Sequence, residues 1–317
     1  MTLLKEFGWD QGISSLQEIN AISPVLMNTT HCLEALSMKC DGYAHYRQLP
    51  FENLSIWKLT NLRRVIPRNS CAASIQMILH CPEIEDLYLN RAAADSIHNI
   101  MRHANWRKLR RLSIANTYRM NPIFTSNSFT AVTSSFNRHA DLESLLIAEH
   151  TIGMPTLPSS CLPKLRSIWL NTTSSVASFL SNETISRLVH LNCPINGIQN
   201  TAGLPQLDKL ETLAFEFHAF YSHETEEEII QIFLQCPSLT HIFCDLPGPK
   251  EDELDKFCKR FSALPNLKIL ELARKGMYMK LERDGNGMYS GYQYVSLEEA
   301  ERDEYQVNEV AKFYIIH

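Results

Sequence analysis

A spacing of the form LxxLxL constrains this chain more than any other feature. In Cys161-Leu-Pro-Lys-Leu-Arg-Ser-Ile-Trp-Leu-Asn171 the apolar residues fall at Leu165, Ile168 and Leu170. That spacing is neither helical nor a plain strand alternation. It fits a chain that enters a short strand from a tight turn and aims three side chains into one core. The triplet returns at Ile84/Leu87/Leu89, Leu109/Leu112/Ile114, Leu142/Leu145/Ile147, Leu210/Leu213/Phe215 and Leu267/Leu270/Leu272. Leu188/Leu191/Cys193 and Leu239/Ile242/Cys244 are weaker copies, and those starting at Leu16, Leu33 and Leu62 are poor. From Leu16 to Leu267 the array runs in ten irregular steps averaging about 25 residues. It predicts stacked repeats, each burying its face against its neighbours, which is how 317 residues without a Gly/Ser/Pro-rich linker avoid needing one oversized core.

Composition excludes little else. Lys and Arg number 30 against 35 Asp and Glu, so no global attraction to nucleic acid or an anionic membrane is expected. Nine cysteines form no CxxC pair or regular framework. The opening Met1-Thr-Leu-Leu-Lys-Glu lacks a signal-peptide pattern, and no apolar run has membrane-spanning length. Reduced thiols in the cytoplasm or nucleus, with no membrane partner, are the expectation.

Helical stripes alternate with the triplets. Leu3 to Phe7 reads as the end of a helix. Ile75/Ile78/Leu79, Ile97/Ile100/Met101/Ala104, Phe129/Val132/Phe136 and Val176/Phe179/Leu180 each recur at helical spacing. Thr225-x-x-Glu228 opens a further helix over 223–236, and the segment after Pro249 repeats the design. Helix, turn and strand form the unit, with parallel strands on one concave side and helices outside. The repeats are assigned to residues 1–275. In residues 276–317, Arg283-Asp-Gly-Asn-Gly287 signals a hairpin and Ser296-x-x-Glu299 caps a charged helix, together reading as a cap over the last repeat. Tyr278, Tyr289, Tyr292 and Tyr294 could instead make that segment an aromatic docking patch.

Within each LxxLxL the first, fourth and sixth positions point inward, and the third, fifth and seventh point out of the concave sheet. Among the outward residues, Asp86, Tyr88, Arg111, Leu146, Trp169, Asn171, His190, His241 and Phe243 are the candidate partner-binding set. Tyr88, Leu146, Trp169 and Phe243 share the fifth row, and large apolar groups flanked by polar ones suit an interface. A register slip of one would bury them. His190 and His241 sit at the same position two repeats apart, which is too far to share a metal, so both read as solvated rim histidines. No glycine-rich phosphate loop, Gly-x-Ser-x-Gly or His-Glu-x-x-His occurs, and neither catalysis nor a cofactor or metal is expected. The basic run Arg102–Arg111 supplies the alternative, a nucleic-acid-binding or enzymatic solenoid; a solvated turn between helix and strand accounts for it more simply.

The turns that precede the triplets, Cys-Pro-x-Leu/Ile or Leu-Pro-x-Leu at Cys81, Leu162, Cys236 and Leu264, carry a resemblance. Over Leu16 to Leu272 the chain resembles the leucine-rich-repeat part of F-box proteins, most of all the divergent fungal set. The resemblance implies an α/β leucine-rich-repeat solenoid, a ribonuclease-inhibitor-like horseshoe. It also implies a non-catalytic scaffold that recognises the substrate protein of a ubiquitin ligase. The F-box that would bind a cullin-ligase adaptor is not recognisable, since Leu49-Pro50-Phe51-Glu52 is followed almost at once by a repeat. A relative lacking the box fits equally, and nothing in the sequence names the protein partner.

Overall fold

A computed structural model describes residues 4–13, 21, 24–26, 28–29, 31–40, 59–68, 78–90, 94–115, 124–125, 129–147, 151–152, 155–170, 176–193, 207–216, 233, 236–245, 264–274, 277–283 and 289–296. The chain divides into two compact units, residues 1–165 and 166–317. Both are α/β, with mostly parallel strands and few helices among the described residues.

The first unit contains β1 (Glu6–Ile13), β2 (Ala35–Cys40), β3 (Arg64–Arg68), β4 (Asp86–Asn90), β5 (Arg111–Ala115), β6 (Phe124–Thr125), β7 (Ser144–Ile147) and β8 (Thr151–Ile152). Six of these form one parallel sheet in the order β1-β2-β3-β4-β5-β7, while β6 and β8 pair separately. Helix α1 (Ala94–His103) precedes β5 and α2 (Phe129–Arg138) precedes β7. Their stripes are the expected ones: Ile97, Ile100, Met101, Val132 and Phe136 are all buried. Arg138 ties the pair together, its guanidinium donating to the Met101, Arg102 and Ala104 carbonyls that the end of α1 leaves without intrahelical partners.

In the second unit β9 (Ser167–Leu170), β10 (His190–Asn192), β11 (Thr212–Glu216), β12 (His241–Asp245) and β13 (Ile269–Arg274) are parallel neighbours in chain order. The direction then reverses: β14 (Met277–Arg283) pairs antiparallel with β13, and β15 (Tyr289–Ser296) pairs antiparallel with β14, the hairpin that Arg283-Asp-Gly-Asn-Gly287 signals. The stripe at Val176–Leu180 forms two short helices, α3 (Val176–Phe179) and α4 (Asn182–Ile185). The break is local chemistry: Ser181 adopts an extended conformation and its Oγ accepts the Thr184 N–H at 3.3 Å, starting a new helix.

Register runs through the repeats. Leu36, Val65, Leu87, Leu112 and Leu145 are in line across β2 to β7, as are Ile168, Leu191, Leu213, Ile242 and Leu270 across β9 to β13. Each of these ten is at most 4% exposed. Leu33 and Leu62, the weak starts, are fully buried, so both repeats are real. The first one corrects the sequence reading. Strand β1 pairs Glu6 with Ala35 and Phe7 with Leu36, which makes Leu4 its opening position instead of Leu16 and replaces the expected helix end with a strand.

Nine of the repeats show, among the described residues, a fourth inward position three residues before the first leucine. Leu59, Cys81, Trp106, His139, Leu162, Ile185, Leu207, Cys236 and Leu264 occupy it, all buried. At most of them the backbone carbonyl accepts the N–H three residues on, closing a tight turn. Pro82, Pro163, Pro237 and Pro265 follow immediately, at the turn position that suits proline's fixed φ. Just beyond, one carbonyl per repeat accepts two successive N–H groups of the next repeat. Lys5 O takes Glu34 and Ala35 at 2.7 and 3.0 Å, and Glu34 O takes Arg63 and Arg64 at 2.8 and 3.0 Å. The pattern continues through Arg63, Glu85 and Arg110, and in the second unit through Arg166, Val189, Glu211 and Thr240. Here the chain bends from turn to strand, so consecutive N–H groups point the same way and the backbone's polar groups are satisfied.

The expected helix over 223–236 is described only at Phe233, which is helical and buried, and at Cys236. The helix after Pro249, the 49–54 segment, the C-terminal helix and the tyrosine side chains of the docking alternative lie outside the described residues. Among the described residues no helix is long and apolar enough to cross a membrane.

Candidate partner-binding face

The third and fifth positions of each strand make the outward face. In the first unit, register aligns Arg64 on β3, Asp86 on β4, Arg111 on β5 and Ser144 on β7. Arg111 grips Asp86 with a bidentate fork, Nε to Oδ1 at 2.7 Å and Nη2 to Oδ2 at 2.6 Å. Arg64 reaches the same carboxylate only through Nε, 3.6 Å from Oδ2. The Asp86 side chain is 10% exposed, against 41% for Arg111 and 49% for Arg64. Tyr88 in the next row is half-buried, and Ser113 beside it is buried. Arg64 escaped the sequence reading because its repeat looked too poor to phase; accepting Leu62/Val65 as a triplet would have found it.

The basic run does not converge on one surface. Lys108 pairs with Glu83 and Arg111 with Asp86, while Arg102 lies on α1 and Arg107 in the turn. Cations and anions alternate instead along the second position of successive repeats, as Lys5, Glu34, Arg63, Glu85, Arg110 and Glu143. Lys5–Glu34 at 3.1 Å and Arg63–Glu85 at 3.8 Å are direct pairs there.

The second unit presents Ser167, His190, Thr212, His241 and Ile269 in the third row and Trp169, Asn192, Ala214, Phe243 and Glu271 in the fifth. Trp169 and His190 are half-buried. Thr212, Asn192, Ala214, Phe243 and Glu271 are each no more than 6% exposed. The expectation of an open apolar row is therefore corrected at Phe243, 2% exposed, and in the first unit at Leu146, 6% exposed. Strands about 4.8 Å apart leave less room than a large side chain is wide, so rows pack laterally into a layer of their own. Ala214, between Asn192 and Phe243 in register, is overtopped completely. Asp86 and His241 are also buried, at 7% and 8%. Asn171 lies outside the described residues.

His241 is not the solvated rim residue that the sequence suggested. Its Nε2 sits 3.2 Å from Glu271 Oε1, a close contact without the alignment of a hydrogen bond. Glu271 Oε2 has no hydrogen-bond partner among the described residues. His190 lies two strands away; burial holds its pKa below the ordinary range, with Glu211 opposing and His241 reinforcing that shift. Among the described residues no group of three or more His, Cys, Asp or Glu is placed to hold a metal. The buried thiols of Cys81 and Cys236 are pushed up to about 12, so at neutral pH they are protonated core residues instead of nucleophiles.

Charge divides unevenly between the units. Residues 1–165 hold 16 Lys and Arg against 13 Asp and Glu, a net of +3; residues 166–317 hold 14 against 22, a net of −8. No protein-family model matches the chain, and no curated protein matches it.

Proposed function

We propose that the chain is a leucine-rich-repeat solenoid of the horseshoe kind, a non-catalytic scaffold that holds a protein partner on the outward face of its parallel strands. Within that class we favour the substrate-recognition part of an F-box-type ubiquitin-ligase receptor, or a relative without the box. The reading rests on one observation: from β2 onward the first and fourth positions of the triplets are buried in the core wherever they are described, whereas Tyr88 and Trp169 stay only partly buried at the outward fifth position among polar neighbours. Aromatic groups so placed are the side chains that most often dominate protein–protein binding. The test is a pull-down with the intact chain, read against Tyr88→Ala and Trp169→Ala. Co-purification of cullin-ligase subunits supports the receptor reading, and other partners without them support the box-less relative. Full retention of every partner by the double variant would refute the face as the binding surface.

A further inference from the structure

The geometry points to an acidic, extended protein segment as the ligand of the first unit's face, an oxyanion-bearing side chain of that segment being held beside Arg64. This inference rests on the scaffold reading above and names the chemistry of its partner. Two guanidinium groups from β3 and β5 converge on a single carboxylate, Asp86, which satisfies one of them. Arg111's fork is consumed by the bidentate pair, whereas Arg64 makes one long side-chain contact among the described residues and is 49% exposed. The cluster keeps a surplus positive charge on a face where Ser144 stands in register with Arg111 and Tyr88 lies one row on. An incoming carboxylate or phosphoryl group can take the planar donors that Arg64 leaves over. The unit's net charge of +3, in a chain that is acidic elsewhere, favours an anionic partner at this end alone. A segment lying across parallel strands would meet Asp86, Tyr88 and Arg111 in turn, so Tyr88 supplies apolar contact next to the anchored charge.

The experiment measures binding of short fluorescein-labelled peptides to the full chain by anisotropy: one rich in glutamate, its phosphoserine counterpart and a lysine-rich control. The expected result is salt-sensitive binding of an acidic peptide, weakened about tenfold by Arg64→Gln. The control substitution, Arg110→Gln on an exposed second-position cation, should leave it unchanged. Preference for phosphoserine assigns the site to a phosphoryl group and preference for glutamate to a carboxylate; either supports the inference. Equal weakening by Arg110→Gln would mean diffuse attraction and would overturn it. So would tighter binding of a single-stranded oligonucleotide with the same dependence on Arg64, or no acidic binding at all. Arg64 is half-exposed with one long contact, so Arg64→Gln should melt with the parent, which separates lost binding from lost fold. If the Tyr88/Trp169 double variant releases a partner while acidic peptides fail to bind the parent, the acidic ligand is wrong and the scaffold reading stands. If both experiments are negative, both fall.

Discussion

The two units share a repeat and fill its outward rows with different chemistry. In the first, the third row is a chain of charges in which a nearly buried aspartate is gripped by one arginine and approached by another, each of them roughly half-exposed. In the second, the corresponding rows hold histidines, and a carboxylate 2% exposed beside one of them. The inward positions are interchangeable between units, with Leu87 and Leu213 in the same place and equally buried. The backbone ladder at the strand entry is identical in kind. Where stability comes from inward positions and contacts between successive repeats, the outward rows are open to divergence without loss of fold. Binding chemistry should therefore differ between the units while the core energetics match.

Core truncation is the strongest way to break that comparison. Leu87→Ala and Leu213→Ala should each cost about 2–5 kcal/mol in denaturant unfolding, because each removes a side chain no more than 1% exposed from a packed row. A large effect in one unit with none in the other would mean that the cores are not equivalent.

The outward ion pairs should then separate the units. Removing a hydrogen-bonded partner from a buried carboxylate leaves its oxygens unsatisfied. Arg111→Gln should cost about 2 kcal/mol, because it strips two short hydrogen bonds from Asp86, whose side chain is 10% exposed, although the 41% exposure of Arg111 lets water take over part of its role. His241→Gln should destabilise by only about 1 kcal/mol, since its 3.2 Å contact with Glu271 is not an aligned hydrogen bond and glutamine keeps an amide donor at the same place. Equal costs in urea titrations would remove the distinction drawn between the two faces.

Acid should also act unequally. His139 occupies the fourth inward position, stacked on Trp106 with ring centroids 5.7 Å apart. Its Nε2 accepts the Trp106 backbone N–H at 3.2 Å, and its Nδ1 lies 3.4 Å from Ser135 Oγ. Burial first, and the neighbouring Arg138 charge second, lower its pKa to about 4. An unfolded chain takes up that proton near pH 6.5 and the native state only near 4, so its stabilisation is complete above about 6.5 and is lost as pH falls toward 4. Between pH 7 and 5 this residue should account for about 2 kcal/mol of lost stability. The measure is the difference in pH slope between the parent and His139→Gln, and identical slopes would refute the assignment.

Much of the core was legible because its signal is spacing. Leu165, Ile168 and Leu170 declare a triplet, and Ile97, Ile100 and Met101 a helix face, whatever their neighbours do. The first repeat was illegible because Phe7 takes the place of a leucine. Trp106 and His139 concealed a shared position because geometry, not residue type, defines it. The face was harder. The Asp86–Arg111 pair joins residues 25 apart in sequence and becomes visible only once two strands are set in register. Whether an outward residue is covered depends on the width of its lateral neighbours, so Trp169 is only partly buried while Phe243, at the same position, is fully covered.

The smallest effect tests what the units have in common. In several repeats the residue just before the first leucine bonds to the repeat before it. Asn61 Nδ2 donates to the His31 carbonyl at 2.8 Å in the first unit, and Asn266 Nδ2 donates to the Pro237 carbonyl at 2.5 Å in the second. Ser238 Oγ does the same to the Asp208 carbonyl. These bonds lie at exposed turns, where water can replace a lost donor, so Asn61→Ala and Asn266→Ala should each cost only about 0.5–1.5 kcal/mol. The costs should be alike, since the same turn is cut in both places. Hydrogen exchange should show faster opening confined to the two repeats that flank each substitution, if repeats transmit a local loss only to their neighbours. Faster exchange throughout a whole unit would mean that the repeats open together, and the outward rows would then not be free to diverge independently of the fold.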